Sequence, residues 1–188
     1  MAQGIIRIIG GEWRGRKLKV PDIVNLRPTP DRVRETLFNW LAPTIAGAHC
    51  LDAFAGSGAL GFEALSRRAA DVVMVDESPA VISLLQAELK IFKAENAEIY
   101  CANVPSQLRQ PSKPFDIVFL DPPYQKNILL PCCFYLEEKD FLADTAQIYL
   151  EARETLDEKD LPPHWRIVKS KRAGQVAYHL IMRKYTSP

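Results

Sequence analysis

The chain has 188 residues, 47% hydrophobic and 25% charged, with a formal net charge of +1. That is enough for one folded domain with a small appendage, and it excludes intrinsic disorder as the main state. No apolar run approaches the ~20 residues of a membrane span, and MAQGIIRIIGGEWRGRK places its apolar residues before its charges, unlike a secretory leader. The four cysteines, at 50, 101, 132 and 133, form no C-x-x-C pair, and His49, His164 and His179 lie far apart. A disulfide framework and a metal site are therefore not expected, and a reducing cytoplasm is the default location.

In chain order, IIRII at 5–9 and RKLKV at 16–20 read as short strands around GGEWRG, a basic β-hairpin with Trp13 near its tip. Residues 21–30, PDIVNLRPTP, resemble a linker. DRVRETLFNWL at 31–41 has helical apolar spacing, with Thr29 or Asp31 expected as its cap. HCLDAF from 49 is a buried strand ending in a Gly-rich turn, followed by a helix over 60–68. Strands are expected at 72–76, 98–102, 115–121 and 147–152, with helices at 79–93 and 127–142. WRIVKSKRAG and QVAYHLIMRK read as two strands joined at Ala173–Gly174. Continuous apolar strands alternating with helices predict an α/β fold, a doubly wound, mostly parallel seven-stranded sheet that ends in an antiparallel hairpin. The division expected is a basic appendage at 1–26 and a Rossmann-like domain at 27–188.

The small net charge conceals an uneven distribution. Residues 1–40 carry a balance of +4, residues 41–160 a balance of −9, and residues 161–188 a balance of +6. Clustered cations matter more to a polyanion than the total does. The expected RNA-gripping residues are Arg7, Arg14, Arg16, Lys17, Lys19, Arg27 and Arg32, with Lys169, Lys171 and Arg172 as a second group, the two ends meeting on one face.

Two motifs carry chemistry. Gly56, Gly58 and Gly61 form G-x-G-x-x-G between a strand and a helix, where glycine lets the backbone approach a ligand at a helix N-terminus. NAD, FAD and S-adenosylmethionine all fit that loop, and Asp76, at the end of the next strand, could accept the ribose hydroxyls of any of them. Asp52 discriminates: a carboxylate there repels a pyrophosphate but suits a ligand with an ammonium and a sulfonium. The second motif is Asp121-Pro122-Pro123-Tyr124, after the strand at 115–121. Ligands of open α/β sheets bind at the carboxyl ends of strands, so the two loops should adjoin. The prolines remove two N–H donors and leave acceptors, the Asp121 carboxylate and the carbonyls of Asp121 and Pro122. Acceptors of this kind can hold the amino group of a base, and Tyr124 can stack on its ring.

Strand–DAFAGSGALG–helix, the acid at Asp76 and the DPPY loop resemble the class I S-adenosylmethionine-dependent amino-methyltransferases. RIIGGEWRGRKLKVP, LRPTPDRVRETLFNWL and DAFAGSGALGFEALSRRA resemble one bacterial family, the small-subunit ribosomal RNA methyltransferase D family. The resemblance covers nearly the whole chain and is densest over 5–76 and 115–124. It implies methylation of the N2 amino group of a guanine in 16S rRNA, on a small subunit or assembly intermediate, with no metal and by a monomer. It implies cofactor contacts from Asp52, Phe54, Ala55, Gly56, Ser57, Gly58, Asp76, Glu77, Asn103, Val104 and Asp121, and catalytic roles for Asp121, Pro122 and Tyr124. In ANVP at 102–105, Asn103 stands where an acid is common in the family. The alternatives are an adenine-N6 methyltransferase acting on DNA or RNA, an NAD-dependent oxidoreductase, and a non-enzymatic RNA-binding protein. Asp52 and DPPY argue against the oxidoreductase, and the intact Gly56, Gly58 and Asp121 against the non-enzyme.

Overall fold

A computed structural model of the chain describes residues 5–19 and 29–184. Arg27 lies outside the described residues. The elements, in order, are β1 (Ile5–Arg7), β2 (Lys17–Lys19), α1 (Asp31–Leu41), β3 (His49–Asp52), α2 (Ala59–Ser66), β4 (Asp71–Asp76) and α3 (Pro79–Phe92). They continue with β5 (Ala97–Cys101), β6 (Phe115–Leu120), α4 (Leu129–Glu138), β7 (Leu142–Ala152), β8 (Trp165–Ala173) and β9 (Val176–Arg183). Single 3-10 turns cover Tyr124–Lys126 and Glu158–Asp160. Among the described residues, no helix is long and apolar enough to cross a membrane.

Seven strands form one sheet in the order β5-β4-β3-β6-β7-β9-β8. The first five are parallel, β9 adds antiparallel to β7, and β8 adds antiparallel to β9. The doubly wound, mostly parallel sheet with an antiparallel end is thus present. β1 and β2 pair separately, Ile5 opposite Lys19. Strand alternation divides the core in two. Cys50, Val72, Met74, Ile117, Phe119 and Tyr149 face α1, α2 and α3. Leu51, Val75, Val118, Leu120, Ile148 and Leu150 face α4.

Most boundaries shift by a residue or two, and three local features differ more from the sequence expectation. The helix expected over 127–142 is only Leu129–Glu138, because Asp140 has a left-handed backbone (φ 55°) and turns the chain into the next strand. That strand begins at Leu142 rather than 147, with an irregularity before Gln147 where its pairing to β6 shifts. Neither Thr29 nor Asp31 caps α1: Pro30 holds the cap position with no side-chain cap bond. Thr29 is buried elsewhere, as described below.

The small hairpin is tied to α2 and α3. Glu63, fully buried, accepts from the Ile9 and Gly10 amides at 2.9 and 2.8 Å. The Ser66 hydroxyl donates to the Gly10 carbonyl and accepts from the Trp13 amide. Trp13 turns inward, its ring 4.9 Å from Phe92 and 6.4 Å from Phe62. Ile6, Ile8 and Leu18 join the same core layer.

Candidate active site

Strand parity places three acids on one face. Asp52 lies in register with Phe119 of β6, and Phe119 with Tyr149 of β7. Asp121 and Glu151 each come two residues later, so they point the same way, one pleat further along neighbouring parallel strands. All three occupy the carboxyl ends of β3, β6 and β7, on the side covered by α1 and α2. No ion pair engages any of them among the described residues.

Asp52 accepts from the Gly61 amide at 3.0 Å, within the first turn of α2. That helix end favours its charge, but burial outweighs the effect and raises its pKa to about 7, with Asp76 adding repulsion. Gly61 must lack a side chain, because a Cβ would stand 2.5 Å from Met74 Sδ and 3.3 Å from Asp52 Oδ2. Gly58 precedes the helix at φ 76°, a left-handed conformation natural to glycine. The Ala55 amide is fixed to the Val75 carbonyl at 2.9 Å, which draws the turn across β4. Ser57 is buried, while Phe54 and Gly56 are partly open.

Asp76 bridges two loops, accepting from the Gly56 amide and the Ser78 amide, each at 2.9 Å. Asp76, read from the sequence as a ribose acceptor, thus also closes the turn. Each carboxylate oxygen retains a second lone-pair direction for a ribose hydroxyl. Glu77 is exposed and ion-paired with Lys126. Asn103, beyond β5, is exposed, and its backbone amide and side-chain amide both donate to Gln107 Oε1. Val104 packs against the α4 side of the core. The proposed cofactor residues therefore lie on the carboxyl ends of β3, β4, β5 and β6, four strands side by side.

Asp121 follows β6 directly, and its side chain is half-buried. Burial first, then repulsion from Glu151 and Asp52, pushes its pKa well above the usual carboxylate range. A hydrogen bond from the Thr29 hydroxyl acts in the opposite direction, and the same hydroxyl serves Glu151. Glu151, 4% exposed, has its pKa raised mainly by burial and accepts from the Tyr149 hydroxyl at 2.6 Å. Tyr124 sits in the 3-10 turn after the two prolines, and burial and the neighbouring acids push its hydroxyl's pKa up. The Arg153 guanidinium stands 5.3 Å from the centre of its ring, on one face.

Thr29, Tyr149, Glu151 and Arg153 were not among the sequence-derived site residues. Glu151 left one signal, a charge inside the apolar strand QIYLEA. Thr29 was assigned to the cap of the helix it precedes.

The basic candidates are dispersed. Arg7, Arg14, Lys17, Lys19 and Arg32 are exposed. Arg16 is exposed but held, donating to the Ile91 carbonyl at 3.0 Å and lying 3.8 Å over the Phe92 ring. Lys169, Lys171 and Arg172 line β8, the opposite edge of the sheet from β5, whereas the hairpin rests on α2 and α3.

The donors and acceptors present fit an S-adenosylmethionine-type ligand. Among the described residues Asp52, Asp121 and Glu151 have no ion-pair partner and could face a cation, the Gly-rich turn admits close backbone approach, and Asp76 retains acceptor capacity toward a ribose. Comparison with known proteins points the same way. The family model described as "Conserved hypothetical protein 95" matches residues 6–182. Ribosomal RNA small subunit methyltransferase D of Escherichia coli strain K12 is 51% identical over 181 residues, covering 96% of this chain and 91% of that protein. The protein of the same name from Haemophilus influenzae is 45% identical, with 95% and 94% covered. The solved structure of yhhF from Escherichia coli superimposes with a TM-score of 0.88 at 49% identity, covering 96% of this chain and 99% of that one. With a matching fold, near-complete coverage and half of its residues shared, the chain belongs to the ribosomal RNA small subunit methyltransferase D family.

Proposed function

We propose that this protein transfers a methyl group from S-adenosyl-L-methionine to the exocyclic N2 amine of a guanine in 16S rRNA, as a cytoplasmic monomer acting on the small subunit or an assembly intermediate. The activity class follows the relatives' name; the nucleotide and atom follow the family resemblance. The observation that carries the reading is the position of Asp121-Pro122-Pro123-Tyr124, at the carboxyl end of β6 beside Asp52.

The cofactor would supply an electrophilic methyl on a sulfonium, with a neutral thioether as the leaving group. Asp52 faces the cationic end of the ligand, Asp76 and Glu77 the ribose, and Asn103 and Val104 the adenine side. Asp121 accepts one hydrogen of the target amine and the Pro122 carbonyl the other, turning the nitrogen toward the methyl carbon. Tyr124 stacks on the base with the ring face that Arg153 leaves open. A base reaches this position by leaving its own stack. The amine becomes acidic only as the new bond forms, so Asp121 first orients and then takes the proton. Residues 1–26 act as the RNA-gripping appendage to the 27–188 domain.

The test is methyl transfer to naked 16S rRNA, assembly intermediates and whole subunits, with the product nucleoside identified. Asp121→Ala lowers the rate by about 10²–10⁴ at saturating cofactor, with cofactor affinity unchanged within a few-fold. Asp121→Asn is milder, because the amide oxygen still accepts. Tyr124→Phe keeps most activity and Tyr124→Ala loses it. A fully active Asp121→Ala enzyme removes DPPY from the chemistry, and N6-methyladenosine as product replaces the guanine reading.

A further inference from the structure

Asp121 and Glu151 directly follow Leu120 and Leu150, which pair across the adjacent parallel strands β6 and β7, and the chain places one hydroxyl, that of Thr29, within reach of both. Thr29 has a single proton to donate, so it can satisfy one carboxylate at a time. Tyr149 donates to Glu151 at 2.6 Å. The other charged or titratable groups facing the pair are Asp52 from β3, Tyr178 from β9, which borders Tyr149, and Tyr124 with Arg153 at the mouth. Arg153 is exposed and lies over Tyr124; among the described residues neither carboxylate has a cation as partner. Two neighbouring acids, one of them almost fully buried, do not both ionise readily without a counter-charge.

We propose that Glu151 is a positioning residue for the methyl transfer: with Thr29 it shares one proton with Asp121 in the ligand-free site, and the arrival of a sulfonium releases that proton and leaves Asp121 an ionised acceptor. The inference rests on the reading of the cofactor given above. On binding, the carboxylic O–H of the pair breaks and its proton passes to solvent. During transfer, the S–C bond breaks as the N–C bond forms, and positive charge moves from sulfur to nitrogen. The pair then takes up the amine proton: N–H breaks, O–H forms, and the one-proton state returns beside a neutral thioether. The site is thereby biased toward the charged cofactor and against the spent one.

The burial of the pair supports this, since its ionised form is disfavoured on both residues. The test is titration calorimetry of the whole protein near neutral pH, in two buffers of different ionisation enthalpy, with S-adenosylmethionine and S-adenosylhomocysteine as probes. The wild-type protein releases more protons to the sulfonium than to the thioether. In Glu151→Gln this difference falls to about half or less, and the acid limb of cofactor affinity moves to lower pH. Thr29→Val removes a bond that favours ionisation and moves the limb to higher pH. Opposite shifts from two neighbouring substitutions separate a proton-sharing pair from general damage, and Thr29→Val carries the test alone if Glu151→Gln does not fold. Equal proton counts for both probes, or limbs that do not move, overturn the inference and leave the cofactor assignment standing. Failure of the wild-type protein to bind S-adenosylmethionine overturns both.

Discussion

Asp52 brings an ordinary carboxyl into a place where, among the described residues, its charge meets backbone amides and no cation, at 3% exposure. Its pKa rises from 3.8 to about 7, so between these values the folded protein holds a proton that the unfolded chain has lost. By linkage this stabilising contribution is complete below pH ~3.8 and is lost as pH rises through about 7. Ligand-free protein should therefore lose stability across that window, and Asp52→Asn should flatten the loss. Chemical denaturation at a series of pH values measures it, and an unchanged slope in Asp52→Asn would contradict the assignment. Gly61 makes a second expectation at this scale. A methyl there presses on Met74 and Asp52 inside a helix buried on every side, so Gly61→Ala should cost about 1–3 kcal/mol in urea unfolding.

The elements divide into those that form the site and those that hold a surface in place. The β1–β2 hairpin is three residues per strand, too short to be stable alone. Its order comes from Glu63 and Ser66 on α2 and from Trp13 packed on Phe62 and Phe92. Glu63 also receives Arg67 at 2.8 Å and stands 3.6 Å from Arg34, a fully buried cation whose Nη2 donates to the Arg7 carbonyl. Glu63→Ala leaves the Ile9 and Gly10 amides and Arg67 Nε without their acceptor and removes the carboxylate that stands beside the buried Arg34, and should cost about 3–5 kcal/mol. Hydrogen exchange at Ile9 and Gly10 should then accelerate well beyond exchange in the central strands β3 and β6. Equal acceleration everywhere would mean that the hairpin and the sheet open as one unit. α1 serves differently: its start brings Thr29 to the two acids, while Trp40 further along packs 5.7 Å from Tyr178 of β9.

For the whole molecule, the consequence is a division between an acidic candidate site and cationic margins. The hairpin cations and those of β8 lie on separate parts of the surface, so their contributions to RNA affinity can be measured separately. Removing one cation that neutralises a phosphate should reduce the slope of log affinity against log salt by about 0.7–0.9. Arg14, Lys17 and Lys19 changed together to Ala should flatten that slope and spare cofactor binding, because none of these side chains enters the core. Deleting residues 1–20 is a harsher experiment than the sequence suggests. It also strips Ile6, Ile8, Leu18 and Trp13 from the core and exposes Phe62 and Phe92. An unchanged slope in the triple substitution would move the RNA-binding surface to β8 or elsewhere.

The order of strands and helices was legible in the sequence, because buried parallel strands are near-continuous apolar runs bounded by glycine and proline. So were the two loops of the candidate site, since Gly56, Gly58, Gly61 and Asp121-Pro122-Pro123-Tyr124 declare themselves by local backbone requirements. The family was legible too, from RIIGGEWRGRKLKVP and LRPTPDRVRETLFNWL. What only the tertiary structure decided was which distant side chains share an environment. Thr29 looked like a cap because capping is a local rule, yet its hydroxyl is directed to acids 92 and 122 residues away. Glu151 is one charge inside an apolar strand, and only the register of β7 with β6 sets it beside Asp121. The end of α4 was misjudged because its apolar pattern runs on into β7, and the left-handed Asp140 that separates them leaves no periodic trace. Sequence determines local conformation through each residue's own sterics, whereas the protonation state of a buried acid depends on neighbours that only the folded chain assembles.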